Sequence, residues 1–435
     1  MSNPARKALE KKSNRTTVYY IAAIMLLSTI LRLVFILMTP YNISPHDLGK
    51  WPDPNNLTCY GHLGYTAFIY YVGILPNSDP RLDYAIYNPP LHYIINACWL
   101  HFLSLFTDTE STILEGLQWL TCLYVTGAVF FIYKTFDRIF DEAKRTIICT
   151  AIIAFHPFFI FTAGFVGNDA LSIFFTCATL YFTVCWYQEQ KTSQIFLAAL
   201  CLGLGMMTKL NVVLLAPAMA YFFLLKLIER IKEKKKENLF ALIKQYAGFL
   251  LISVPLGTWW SFRNLIRFNL PLGYIDTPSD QNYKFISDHS FVNRYIPKYK
   301  NLITPFVEPH VSKTDGDTCI YWSVLKQSLF SNQKHDQEIG PFWTKVALVF
   351  MYIVFAAVLV ALVLSIIRSI KGIKAKDHYI VFCWIGIATY LASFLPFCYK
   401  YPFVCTQDFR YIWPTFILLL ITFKRPKEMA QKKDS

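Results

Sequence analysis

Charge is scarce in this chain: Asp, Glu, Lys and Arg make up 16% of 435 residues, while hydrophobic residues make up 54% and the mean hydropathy is +0.35. Soluble domains carry about a quarter charged residues, so this balance excludes a string of soluble domains and points to a membrane protein. No internal repeat is visible, and the only low-complexity tract is the solvated Arg230–Glu237 run, an orientation signal. The eleven cysteines show no metal-ligand spacing. Cys98, Cys122, Cys149, Cys177, Cys185, Cys201 and Cys383 fall in apolar runs and read as small core residues. Cys398 and Cys405 are spaced to bridge an outer loop in an oxidising compartment, and the paired and reduced states both stay open. The first apolar segment has neither the short core nor the small-residue cleavage site of a signal peptide, so it is expected to be retained.

Long apolar runs are what the chain does have. Val18–Met38 supplies roughly the 20 residues that cross a bilayer, and its one charge, Arg32, sits near one end, where a long side chain can snorkel. The net charge of +14 would suit a nucleic-acid binder, but its distribution does not. Basic residues cluster in short patches between apolar spans, at Arg6–Arg15, Lys134–Arg145, Arg230–Lys236, Arg368–Lys376 and Lys424–Lys433. That is the positive-inside pattern, and it puts both termini on the cytoplasmic side. The expected fold is all-α and polytopic, with about ten crossings near 18–38, 114–135, 146–163, 170–187, 193–207, 209–229, 240–260, 343–369, 378–397 and 410–423. Pro89–Phe106 is apolar enough to cross, but counting it would place the later basic clusters outside. It reads as an outer juxtamembrane or re-entrant helix with Pro89 and Pro90 at its first turn.

This divides the chain into a basic tail (1–16), a transmembrane module (17–260) with outer loop 39–113, a large outer loop (261–342), and C-terminal helices with a second basic tail (343–435). Polar residues with chemical potential crowd the outer side. The first loop carries Asp47, Asp53, Asp79 and Asp83. A general base for an acceptor hydroxyl must be a carboxylate or His within hydrogen-bond reach, and Asp47 stands nearest a membrane-anchored helix. A plain turn or cap role for Asp47 stays open on position alone.

Gly167-Asn168-Asp169 forms a short loop on the same side. It reads as a helix N-cap, or as a group that orients a donor or helps hold a hard divalent cation, and the two are compatible. No tight ligand cluster commits the chain to a metal. Lys209, Arg263 and Arg410 flank apolar spans at their outer ends, where topology disfavours a cation without a task. They suit an anionic lipid phosphate, and an Arg410–Asp408 structural pair is the alternative for Arg410. Tyr274, Tyr283, Tyr295, Tyr321 and Trp322 of the large loop suit sugar stacking or, more commonly, interface anchoring. Asn42-Ile43-Ser44 and Asn56-Leu57-Thr58 match the short glycosylation sequon.

The stretch from Thr39 to His92, with His46-Asp47, Gly61-His62-Leu63-Gly64-Tyr65 and Tyr87-Asn88-Pro89-Pro90-Leu91-His92, resembles the first outer loop of GT-C glycosyltransferases. It looks most like bacterial members of the protein O-mannosyltransferase and aminoarabinose-transferase branch, the family 39 type. Thr208-Lys209, Arg263-Asn264 and Asp408-Phe409-Arg410-Tyr411 also resemble motifs of that family. The resemblance implies an enzyme of a bacterial plasma membrane that moves a sugar from a polyprenyl-phosphate donor to a protein, lipid or glycan hydroxyl at the outer face, with inversion. It implies Asp47 as the catalytic base. His46, His92, Asp169, Lys209, Arg263 and Arg410 follow as candidate substrate contacts. Many members have His or Lys where this chain has Asn88. A lipid-linked sugar flippase is the competing class, though transporters tend to show repeated halves and ionisable groups at the bilayer midplane. A scaffold would explain the spans but not the outer charges. Transfer of phosphoglycerol or phosphoethanolamine usually needs a soluble metal-binding domain, which is not visible.

Overall fold

The computed structural model describes residues 4–43, 48–83, 85–276, 285–286, 290–307, 317–331 and 340–424, with side chains from residue 16 onward. In chain order the helices are α1 (Pro4–Met38), α2 (Gly61–Val72), α3 (Leu91–Leu103), α4 (Glu110–Ile139), α5 (Ala143–Ala154) and α6 (Pro157–Phe161). They continue with α7 (Asn168–Glu189), α8 (Thr192–Met206), α9 (Ala216–Lys232), α10 (Lys236–Phe268), α11 (Phe291–Tyr295) and α12 (Tyr299–Leu302). The last four are α13 (Ile320–Phe330), α14 (Gly340–Lys374), α15 (His378–Lys400) and α16 (Trp413–Ile421). The all-α expectation holds; the described residues form only one isolated bridge, between Phe285 and Phe403.

Among the described residues, seven helices are long and apolar enough to cross a membrane, or eight if the bent pair Ala143–Ala154 and Pro157–Gly164 counts as one span. All ten segments expected to cross are helical, but two are short. The segment at 193–207 is α8, with 15 residues, and that at 410–423 holds the nine-residue α16. At about 1.5 Å per residue, α8 rises only about 23 Å against a hydrocarbon core of about 30 Å. Pro89–Phe106 contains the 13-residue α3, with Pro90 at its N-cap, and α3 is not among the candidate spans.

The bend of 60° between α5 and α6 falls at His156-Pro157. Proline has no N–H to continue the ladder, so carbonyls at the end of α5 lose their helical partners. Arg32 takes one of them, its Nη2 donating to the Ala154 carbonyl at 3.2 Å, while its Nε donates to the Phe159 carbonyl of α6 at 3.0 Å and its Nη1 to the Ser28 hydroxyl at 3.2 Å. Arg32 is fully buried, so the snorkelling expectation is corrected. A guanidinium inside the bundle is tolerable because bent backbone supplies its acceptors.

The bundle has two chemically distinct ends. At one, Arg138 pairs with Glu189, Arg145 donates to the Phe423 carbonyl, Arg230 donates to Gln190, and Lys424 pairs with Asp377 at 3.1 Å. Residues of three of the five basic patches thus meet at one end. At the other end lie the C-termini of α8, α10 and α15 and the N-termini of α3, α7 and α16. Beyond that end, α11–α13 fold back on the bundle, with Trp322 buried and donating to the Asn301 carbonyl at 2.9 Å. Cys398 and Cys405 are not joined; the Cys398 thiol donates to the Thr406 carbonyl at 3.5 Å.

Candidate functional site

Four segments converge at the second end, and hydrogen bonds between them fix their spacing. The Leu91 amide donates to the Met207 carbonyl at 3.1 Å, tying the start of α3 to the turn after α8. Asn168 Nδ2 reaches Asn88 Oδ1 at 3.2 Å and the Thr208 carbonyl at 3.3 Å. Asn88, where many members of the resembled family carry His or Lys, is here a clamp: its own Nδ2 also closes a turn on the Ala85 carbonyl at 3.1 Å. A glycine, Gly167, opens α7 without a side-chain cap. The capping expectation for Asn168 and Asp169 therefore fails; both side chains point away to tertiary partners.

Asp169 gathers the cations. It pairs with Lys209, and its Oδ2 lies 3.3 Å from Arg410 Nη1. Asp408 stands 3.8 Å from Arg410 Nε, and its Oδ1 accepts from the Arg410 backbone N–H at 2.9 Å. Arg410 thus faces Asp408, as the structural alternative had it, within a cluster of two carboxylates and two cations. Side-chain exposure is 15% for Lys209, 16% for Asp169, 8% for Arg410 and 6% for Asp408. Burial pulls the Lys209 ammonium below its ordinary pKa; neighbouring Asp169 opposes this and Arg410 reinforces it. Tyr411 lies against both cations, with Lys209 Nζ 5.1 Å and the Arg410 guanidinium 4.8 Å from its ring.

Lys209 and Arg410 of the cluster line a cavity of about 320 Å³. Asn88 and Asn168 line it with them, as do the apolar Leu210, Val213, Leu214, Phe394 and Phe397. Cations next to an apolar trough suit an amphipathic anion, a phosphate joined to a hydrocarbon chain. Tyr274 also lines it, whereas Trp322 is in the core and Tyr283 lies outside the described residues. A second, smaller chamber shares His62 and Arg410 with the first.

His46 and Asp47 lie outside the described residues, as does Ser44 of the first sequon. The chain is held just beyond them: Leu48 is buried, and its carbonyl accepts from the Leu63 amide at 2.8 Å. Gly49 follows with φ +71°, where any Cβ would run into the Tyr60 carbonyl, so only glycine fits. His92 is fully buried, bonds Asn96 through Nε2 at 3.0 Å, and lines neither cavity. Burial, with His62 nearby, lowers its pKa to about 3, so it is neutral at physiological pH. Arg263 also stands apart. It donates to the Pro76 carbonyl at 2.8 Å and to Asn264 at 2.7 Å, stacking on Trp260. The structure brings Asp169, Lys209 and Arg410 together, and sets His92 and Arg263 behind and beside them.

Sequence reasoning gave no role to His62, although it quoted the motif that holds it. Its Nδ1 shares a hydrogen with Tyr93 OH at 2.9 Å, and its ring edge faces Gly167. Among the described residues no group of three His, Cys, Asp or Glu is placed to hold a metal ion. At Asp169 the Lys209 ammonium already supplies a cation.

No curated protein sequence matches the chain. Its fold is similar to the apo ArnT of Cupriavidus metallidurans, at 12% identity and TM-score 0.48 over 96% of this chain and 62% of that one. It is also similar to an Archaeoglobus fulgidus oligosaccharyltransferase in complex with Zn and sulfate, at 12% identity and TM-score 0.47 over 94% and 49%. The same ArnT bound to undecaprenyl phosphate aligns at 14% identity and TM-score 0.40 over 93% and 77%. The chain thus spans less than two thirds of the first two structures. Residues 89–259 match the family model for dolichyl-phosphate-mannose-protein mannosyltransferase. That segment begins at the proline pair and takes in His92, Asp169 and Lys209, while Asp47, Arg263 and Arg410 fall outside it. Over that segment the chain is similar to the mannosyltransferase family.

Proposed function

We propose that the chain transfers a sugar from a polyprenyl-phosphate donor to an acceptor hydroxyl at the outer face of a bacterial plasma membrane, with inversion and with both termini cytoplasmic. The observation that carries this reading is that Lys209 and Arg410, both paired with Asp169, line a partly apolar cavity. The lipid chain lies along Leu210, Val213 and Phe394, and its phosphate replaces Asp169 as the partner of Lys209 and Arg410. The acceptor oxygen attacks the anomeric carbon while the bond from that carbon to the phosphate oxygen breaks. The bonding electrons leave with the lipid phosphate, whose growing charge the two cations stabilise. The acceptor proton passes to Asp47, the base that the chain supplies next to the anchored Leu48. Protein, lipid and glycan hydroxyls all fit this chemistry as acceptors.

Asp47→Asn keeps size and removes basicity. It should abolish transfer, read as loss of the glycan product by mass analysis of lipid-linked sugars and glycans from producing cells, while the purified variant melts like wild type. Normal turnover in a folded Asp47→Asn chain would require a different base.

A further inference from the structure

The smaller chamber, behind Arg410, is unlike the donor cavity: its polar lining is rich in acceptors. It holds about 20 Å³, room for one water-sized group, and is bordered by the Asp169 and Asp408 carboxylates, Gln327, Ser331 and His62. Gln327 is 1% exposed, and its Nε2 donates to Ser323 Oγ, the Val404 carbonyl and the Gln407 carbonyl at 3.0, 3.3 and 2.9 Å. Those three acceptors fix which end of the amide is nitrogen. Among the described residues its buried Oε1 has no partner, and neither has the hydroxyl of Ser331, itself 6% exposed.

Ser331 carries a second cost. It ends α13 at φ +62° and ψ −171°, a region essentially reserved for glycine. Glycine would remove both the strain and the orphan hydroxyl, yet serine stands there. Two unsatisfied oxygens and a strained backbone in one chamber are explained together by a ligand that donates hydrogen bonds. The nearby carboxylates already face Lys209 and Arg410, so a neutral hydroxyl fits better than a further cation.

We infer that this chamber receives one hydroxyl of the sugar carried by the donor, so that Gln327 and Ser331 select the sugar. The inference rests on the donor reading above. A phosphate held by Lys209 and Arg410 must place its next group, the sugar, beside Arg410, and Arg410 is shared by the cavity and the chamber. A site built to bond a hydroxyl discriminates strongly against an analogue that lacks it, because its own polar groups are then left unpaired.

The test uses the full chain in detergent and measures affinity for polyprenyl phosphate alone, for polyprenyl-phosphate hexoses and pentoses, and for the single-deoxy analogues of whichever sugar binds best. One sugar should bind about ten-fold tighter than bare phosphate, and one deoxy analogue should lose that increment. Ser331→Gly and Gln327→Met should lose the same increment, keep the affinity for bare phosphate, and in the case of Ser331→Gly melt no lower than wild type. A wild-type chain indifferent to the sugar, or variants that keep the increment, overturns the inference. Unchanged donor binding with a raised KM for acceptor would also overturn it, giving the chamber to the acceptor hydroxyl. Failure of wild type to bind bare polyprenyl phosphate would instead remove the donor reading.

Discussion

Two buried ion clusters in this molecule are built to opposite ends. Asp317 and Lys326, in the 261–342 segment, are both fully buried, and Lys326 Nζ reaches both Asp317 oxygens at 3.1 Å, Thr304 Oγ1 at 3.2 Å and the Phe306 carbonyl at 3.1 Å. Every direction around that ammonium is filled by this chain. The Asp169–Lys209–Arg410–Asp408 cluster has matched charge too, but Lys209 and Arg410 face a cavity and Asp169 remains partly exposed. The first arrangement leaves no place for a ligand. In the second, an arriving anion can replace Asp169 at modest cost, because desolvation is incomplete and both cations keep a second neighbour in Asp408 or Tyr411. Charge balance alone does not distinguish structure from function; access does.

The closed pair should give the largest effect on stability. Asp317→Ala strands the Lys326 ammonium away from water, with an expected loss of about 3–5 kcal/mol. Thermal unfolding of the purified chain and proteolysis of the 261–342 loop would both report it. Replacing the pair together, Asp317→Leu with Lys326→Met, should recover most of the loss. A single variant that melts like wild type would show the pair to be less isolated than its geometry implies.

The open cluster should respond in ligand affinity rather than in stability. Arg410→Ala and Lys209→Ala each remove one charge-assisted contact, so affinity for polyprenyl phosphate should fall by about 1.5–3 kcal/mol, roughly ten- to a hundred-fold. Arg410→Lys keeps the charge and loses the paired donors, so it should fall between Arg410→Ala and wild type. Unchanged titrations would end the assignment of phosphate to this cavity, and Arg263 would not inherit it, since its donors go to Pro76 and Asn264.

Asp169→Asn shifts the same titration the other way. Asp169 competes with phosphate for Lys209 and Arg410, so neutralising it should tighten bare polyprenyl phosphate by about ten-fold, or about 1.4 kcal/mol. Weaker binding in Asp169→Asn would mean that Asp169 positions the cations more than it competes for them.

The long helices were legible in the sequence because an apolar run and a basic flank are local signals, and the short α3 was legible because counting it would have inverted every later patch. The lengths of α8 and α16 were not: an apolar window does not reveal a turn such as Met207-Thr208-Lys209, set by the Asn168 bond to Thr208. Arg32 read as a snorkelling residue because its partners are carbonyls of a helix break more than a hundred positions away. Lys209 and Arg410 could be picked out as cations where topology gives them no other task. Asp169 was named as well, as a cap or a donor-orienting group, but its pairing with both cations was not legible, since those contacts span 40 and 241 positions. Gln327 and Ser331 carried no signal at all, because a strained φ and an orphan oxygen exist only in three dimensions.

A third buried titratable group completes the comparison, and gives the smallest effect. His92 has no carboxylate paired with it, so burial is answered by loss of the charge: its pKa falls to about 3 from the ordinary 6.5. The folded state holds the neutral ring, whereas the unfolded chain takes up a proton below pH 6.5. Stability from this group is therefore present above pH 6.5 and is lost as pH falls from there towards 3. Between pH 7 and pH 6 the loss should be about 0.7 kcal/mol, set by the unfolded ring alone. His92→Gln cannot titrate, and its amide can still meet Asn96, so its unfolding temperature should be flatter over that interval than that of wild type. Parallel profiles would mean that His92 is protonated in the folded chain with Asp169 as its counter-charge, and the Asp169 cluster would then extend to a third cation.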